Sequence, residues 1–211
     1  MPRDAHYDKL PIITTRFSAC ALAGKPVDRD TLLALVEAAS FAPSSMNEQP
    51  WRFLIAQGER MEKLSDCLTP RNQIWAGEAA ALILLMSKKT FTHNGKDNAW
   101  HLSDAGCASG FLLLEAEHRG LYAHPMGGFD KQKTRELFGI PEDLAIIEVI
   151  AVGWPSDITE LPEVLREQEY SKERMSADKL LVKDKNNMGR REKLDDMEMR
   201  ADCLPAPASG R

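Results

Sequence analysis

From Ala79 to Met86 the chain is an almost unbroken apolar run of strand length. A strand without polar alternation is covered on both faces, which makes this run a central strand. Trp51 to Ala56 reads as a second, short strand, and Leu121 to His124 and Glu148 to Val152 as two more. Between them lie helical patterns. Over Arg29 to Phe41, Leu32, Leu35, Val36 and Ala39 recur at three- and four-residue spacing, with Asp28 placed to cap the first turn. Gly58 to Leu68 carries Met61, Leu64 and Leu68 on one side, and Thr69-Pro70-Arg71-Asn72 is expected to end it. Ala99 to His118 is the longest helix, with Leu102, Ala105, Gly106, Ser109, Leu112, Leu113 and Ala116 on its packed side and Arg119-Gly120 as its close. Asp130 caps a helix through Phe138 that Gly139 and Pro141 terminate, Gly153-Trp154-Pro155 reads as a turn, and His6 to Thr15, interrupted by Pro11, is only weakly helical. This succession gives an α/β or α+β class.

The 211 residues and 43% hydrophobic content suffice for one large domain. Residues 1–182 are expected to form it. Residues 183–211 are rich in charge of both signs, without a core-forming pattern, and read as an arm. The net charge of −5 gives no global attraction to nucleic acid or to an anionic membrane, so an anionic ligand needs a local basic cluster. Cys20, Cys67, Cys107 and Cys203 form no C-x-x-C pair and are expected as free thiols of a cytoplasmic protein. The start has no apolar signal core, and no run approaches the about 18 residues of a membrane span.

The stretch Ala42-Pro43-Ser44-Ser45-Met46-Asn47-Glu48-Gln49-Pro50-Trp51 joins the first long helix to the first strand. Its prolines forbid a continuous helix, and its hydroxyls and amides suit either a polar turn or a ligand-binding loop. Lys88 to Lys96, with Asn94-Gly95, is a polar loop placed to cover a site. Gly127-Gly128, between a strand and a helix, allow close approach of backbone to a flat ligand, or form a simple turn. Arg16 with Ser18, and Lys172 with Arg174, are small basic groups of the kind that bind one phosphate. No G-x-G-x-x-G follows a strand, no Walker loop is present, and neither serine of the loop lies in a G-x-S-x-G elbow. His118 and His124 read as a solvated helix end rather than a metal site.

Together these landmarks resemble a known family. Arg16-x-Ser18, Lys25-Pro26-Val27, Ala42-Pro43-Ser44-Ser45-x-Asn47-x-Gln49-Pro50-Trp51, Asn72-Gln73-x-Trp75, Asp104-Ala-Gly-x-Ala108, Gly127-Gly128-Phe129-Asp130 and Val152-Gly153-x-Pro155 are similar, in order and spacing, to the nitroreductase family of FMN-dependent oxidoreductases. The resemblance implies an α+β fold, an α/β/α sandwich with a central mixed sheet wrapped by helices, built as an intertwined homodimer with FMN at the interface. By position, Arg16 and Ser18 would meet the FMN phosphate and ribityl chain, and Lys172 and Arg174 would close the phosphate site. Pro43, Ser44, Ser45 and Asn47 would reach the flavin of the second subunit, and Asn72 its pyrimidine edge. Pro125, Met126, Gly127 and Gly128 would lie along the ring, with the Gly127 N–H directed at the reactive nitrogen.

Phe17 and Cys20 depart from the pattern, since members commonly carry basic residues, or His at the first, at these two positions. Phe17 is left with its backbone. One missing charged hydrogen bond, worth about 1.5–3 kcal/mol, lowers affinity by about one or two orders of magnitude. The implied function is ping-pong hydride transfer from NADH or NADPH through FMN to a nitro compound, quinone or small electrophile. Alternatives on the same fold are flavin cleavage, reductive dehalogenation, or a non-catalytic flavin-binding sensor or partner protein.

Overall fold

The computed structural model describes residues 7–167, 169 and 173–182. The chain divides into two compact units, Met1–Lys172 and Glu173–Arg211. In the first, β1 (Leu22–Ala23), β2 (Trp51–Ala56), β3 (Ala81–Lys88), β4 (Tyr122–Met126) and β5 (Leu144–Pro155) form one sheet. β3 pairs with β2 and β5, and β5 pairs also with β4 and β1. Among the described residues every pairing is antiparallel, where the resemblance implies a mixed sheet.

Alternation along β3 builds the two layers. Leu82, Leu84 and Met86 face a core completed by Leu64 of α3 (Glu59–Ser65), Trp75 and Ala76 of α4 (Pro70–Ala76), and Phe138 of α6 (Lys131–Phe138). Ala81, Ile83 and Leu85 face a second core. There they meet Leu32, Leu35 and Ala39 of α2 (Arg29–Ser40), and Ala105, Ala108, Leu112 and Ala116 of α5 (His101–His118). The unit is therefore an α/β/α sandwich, and β3 is its doubly covered strand, with all residues from Ala81 to Ser87 buried. A bulge follows Leu85. That residue opposes Glu148, whereas Met86 opposes Ile146, so Ile147 is the extra residue on β5.

The caps explain where helices begin and end. Asp28 accepts from the Thr31 N–H at 2.8 Å, and Asp130 from the Lys133 N–H at 2.9 Å. α5 closes with two reversed bonds, Gly120 N–H to Glu117 and Leu121 N–H to Ala116, which require the left-handed backbone of Gly120 at φ 73°.

Several local expectations are corrected. Pro11 opens the short helix α1 (Pro11–Thr15), and Pro70 opens α4 where the sequence suggested a stop. Both occupy a first-turn position whose N–H would lack a helical partner anyway. Gly153-Trp154-Pro155 belongs to β5 because Trp154 and Pro155 pair with Ala23 and Leu22. On α5 the packed arc centres on Ala105, Ala108 and Leu112, leaving Leu102 (55% exposed) and Gly106 outside it. A 3-10 turn (Ile158–Glu160) and α7 (Glu163–Arg166) follow β5. The second unit is described over residues 173–182 and contains α8 (Ala177–Leu180). The expected arm, residues 183–211 with Cys203, lies outside the described residues.

Candidate functional site

One group of residues gathers where the segment before β1 crosses β4 and the start of α4. Leaving α1, the chain runs extended, with Arg16 half-buried and Ser18 exposed. Phe17 packs edge-on against Tyr122 of β4, ring centroids 5.4 Å apart, so its side chain braces the segment. The N–H groups of Cys20 and Ala21 donate to one carboxylate, that of Glu169, at 2.7 and 2.8 Å. His124 of β4 has its Nδ1 3.0 Å from the Ala19 carbonyl, which only accepts, so Nδ1 carries the proton. The same nitrogen is 3.7 Å from Cys20 Sγ, and the imidazole lies against the Trp75 indole with centroids 4.6 Å apart.

These contacts set the protonation states. Burial, reinforced by Glu169, pushes the Cys20 thiol up to about 12, which keeps it neutral and removes it as a nucleophile. Burial also holds His124 below its ordinary value, although Ala19 and Glu169 oppose the shift. Burial raises Tyr122, with Glu117 and Glu169 adding to the effect.

α4 carries this cluster to the glycine pair. Asn72 Nδ2 donates to the Gly128 carbonyl at 3.0 Å, and the Thr69 N–H donates to the same oxygen at 3.0 Å. A Cβ on Gly128 would stand 3.0 Å from Asn72 Nδ2 and 3.2 Å from Thr69 Oγ1. At exposed Gly127 a Cβ would meet nothing within 4 Å, so the backbone there is open to approach. Pro125 and Met126 lead into the pair, but the Met126 side chain is in the core and offers only its backbone to a ligand.

The second group is the Pro43 to Gln49 loop, which contains a 3-10 turn at Ser45–Asn47. Met46, Asn47 and Gln49 have φ of 54°, 55° and 50°, a left-handed conformation that costs a non-glycine residue about 1–2 kcal/mol. Anchors hold it there. The buried Asp104 of α5 accepts from the Ser45 N–H at 3.1 Å, and Ser44 Oγ from the Gln49 N–H at 3.0 Å. Glu48 clasps the loop at 88–96, accepting from Thr92 N–H and Oγ1 at 2.8 and 2.5 Å. Those bonds lower the Glu48 carboxyl below its usual range. Pro43 and Asn47 are exposed.

The structure thus brings Phe17, Cys20, Asn72, Pro125, Met126, Gly127 and Gly128 into one neighbourhood of the first unit, with Arg16 beside His124. The hydrogen bonds of Ser45 and Glu48 lead elsewhere, to α5 and the 88–96 loop, and that of Ser44 closes on Gln49 within its own loop. Lys172 lies outside the described residues, and Arg174 belongs to the second unit. Glu169 and His124 were not read as site residues from sequence. A carboxylate that binds backbone N–H groups 149 and 148 positions away leaves no periodic signal. Asp104 had one, being the lone acid on the packed arc of α5. Among the described residues no group of three His, Cys, Asp or Glu side chains is placed to hold a metal. Cys20, Cys67 and Cys107 are free thiols, and no described helix is long and apolar enough to cross a membrane.

A sequence model described as the nitroreductase family matches residues 13–70 and 67–154. The chain belongs to the nitroreductase family. The match spans the segment before β1, the 43–51 loop, α4, the glycine pair and β5 up to Trp154, so both groups of residues fall inside it except for Glu169. Among solved structures, one described as an oxidoreductase containing FMN has a TM-score of 0.83 and 33% identity, covering 86% of this chain and 94% of that one. A relative from Archaeoglobus fulgidus, with the provisional name NADH dehydrogenase/NAD(P)H nitroreductase, is 28% identical over 153 residues, 70% of this chain and 86% of its own. An iodotyrosine deiodinase from Thermotoga neapolitana is 29% identical over 157 residues, 63% of this chain and 80% of its own. The names of the matched relatives thus range from nitroreductase to deiodinase.

Proposed function

We propose that the protein is an FMN-dependent NAD(P)H oxidoreductase that reduces nitro compounds, quinones or a small electrophile by a ping-pong mechanism. The observation that carries this reading is the cradle at Gly127-Gly128. One glycine is open to approach, and the other is held by two donors on its carbonyl with no room for a side chain. Such a surface suits the edge and face of a flat ring. When bound, FMN supplies the redox chemistry, accepting a hydride from the nicotinamide and passing electrons to the acceptor.

The chain's own groups bind and orient. Arg16 and Ser18 hold the phosphate and ribityl chain, with Lys172 and Arg174 closing that end. Asn72 fixes Gly128 and presents its amide to the pyrimidine edge. Cys20 and His124 stay neutral in the adjoining cluster. Ser44, Ser45 and Asn47 serve the flavin of a second subunit, a reading supported by the direction of their loop, which is tied to α5 rather than to the cradle of its own chain. Exposed Phe41 (76%), Met46 (74%) and Trp100 (60%), with Gly106 and Gly110 open on α5, suit burial against that subunit.

Purified protein is expected to be yellow, to release FMN on denaturation, and to bleach anaerobically with NADH or NADPH. A colourless protein that refuses added FMN would refute the reading.

A further inference from the structure

Where the 43–51 loop enters the sheet, the structure holds a polar cluster that the flavin reading does not use. Ser87, near the end of β3, pairs with Trp51, and the next N–H, that of Lys88, donates to the Pro50 carbonyl at 2.8 Å. Ser87 is fully buried, and its Oγ lies 2.6 Å from Nδ1 of His101, the first residue of α5. Among the described residues Nδ1 is the one acceptor within reach of that hydroxyl. A buried hydroxyl spends its hydrogen on the acceptor it has, so Ser87 donates and Nδ1 accepts. The imidazole proton is therefore on Nε2, the reverse of His124. With Nδ1 turned to a buried partner, Nε2 is the outward nitrogen of this half-buried ring. Burial, helped by the Lys89 charge, holds His101 below its ordinary value against the pull of Asp104, which keeps the ring neutral at pH 7.

Asn98 adds a second donor in the same corner. Its carbonyl accepts from the His101 N–H at 3.2 Å, while its buried Nδ2 has no acceptor among the described residues. Such donors call for an oxygen that carries no hydrogen of its own, as a nitro group or a quinone carbonyl does. One turn along α5, Asp104 accepts from the Ser45 N–H at 3.1 Å, so the imidazole stands beside the loop that the reading above gives to the second subunit's flavin.

We propose that His101 is a catalytic residue for the acceptor, its Nε2–H donating to the nitro or carbonyl oxygen of the molecule being reduced. The proposal rests on the FMN reading and adds how the acceptor is held. Negative charge gathers on that oxygen during reduction, and a fixed neutral imidazole N–H stabilises it. A quinone gains a hydride, supplied as in that reading, and one proton from water, and leaves as hydroquinone. His101 keeps its own proton throughout, and Ser87 holds it in the tautomer that can donate.

The tautomer is read by nitrogen-edited NMR of the labelled protein at pH 8, where Nε2 of His101 should be protonated and Nδ1 bare. The role is read by stopped-flow half-reactions of wild type, His101→Ala and His101→Gln. In His101→Ala, reoxidation by 1,4-naphthoquinone should slow about three- to tenfold, the effect of one neutral hydrogen bond, while reduction by NADH or NADPH stays within about twofold. Reoxidation by ferricyanide, which takes single electrons and needs no donor, should stay unchanged. Gln, with an amide N–H to offer, should recover part of the quinone rate. A proton on Nδ1, an unaltered quinone rate, or an equal fall in all three rates would overturn the assignment and leave the FMN reading standing. A wild-type protein that binds no flavin overturns both.

Discussion

Gly127 and Gly128 are adjacent, yet an added methyl group should cost stability at the second and ligand affinity at the first. At Gly128 a Cβ would be 3.0 Å from Asn72 Nδ2, and ordinary contact begins near 3.4 Å, so the amide must retreat by about 0.4 Å. That stretches its 3.0 Å bond to the Gly128 carbonyl beyond useful length, a loss of about 0.5–1.5 kcal/mol. Thr69 Oγ1, 3.2 Å away, belongs to a residue whose N–H holds the same carbonyl, so it yields little and adds about 1 kcal/mol of overpacking. Gly128→Ala should then cost about 2 kcal/mol, a fall in Tm of about 4–8 °C for a chain of this size. Gly127→Ala, with open space around its Cβ, should leave Tm within about 1 °C and reduce FMN affinity by about tenfold or more, because the methyl group occupies the approach to the ring. Asn72→Ala removes the obstructing amide, so Gly128→Ala should cost about 1 kcal/mol less in that background. Thermal and urea unfolding of the four proteins of this double-mutant cycle measure the coupling. Additivity within about 0.3 kcal/mol would show that Asn72 is not what confines Gly128, and the steric reasoning would fail.

Glu169→Gln removes the carboxylate that raises the Cys20 thiol and accepts from two N–H groups. Stability should fall by about 1–3 kcal/mol, and site-resolved alkylation of Cys20 at pH 9 should accelerate, about tenfold for each unit by which the thiol value drops. His124 is held below its ordinary 6.5 in the folded protein. Below that pH the unfolded chain takes up a proton that the folded protein refuses, so stability declines with acid until the folded value is reached. In His124→Gln the difference between urea midpoints at pH 8 and pH 5 should shrink. Glu48 has the reverse sign. Its lowered carboxyl stabilises the clasp to Thr92 above its ordinary 4.5, and the clasp is lost as pH falls through the lower folded value. Protease cleavage within residues 88–96 should accelerate in Glu48→Gln at neutral pH if the clasp restrains that loop.

What could be read from the sequence follows the range of the interactions. β3 was legible because two-sided burial leaves an unbroken apolar run, and α2 and α6 because their caps lie within three residues. Pro70 was misread because the same residue stops one helix and starts another, and only the register of the following turn decides. β5 extends through Trp154 and Pro155 because β1, over a hundred residues earlier, pairs with them. The site divides in the same way. Gly127, Gly128 and Asn72 stood out as landmarks, but the bond that unites Asn72 with Gly128 spans 56 positions, and Glu169 reaches Cys20 across 149. Neither separation carries a period that a sequence displays.

The left-handed turn at Met46, Asn47 and Gln49 has a further consequence. A loop already locked in a disfavoured shape has surrendered its freedom during folding, so a ligand arriving there orders nothing new. Replacing Met46 or Gln49 by glycine would relax the backbone without deleting a side chain that the anchors use. The folded protein would gain or hold stability while its grip on whatever the loop touches weakens. Affinity would then fall without a loss of stability from one substitution, which marks the turn as a store of conformational selectivity rather than of cohesion.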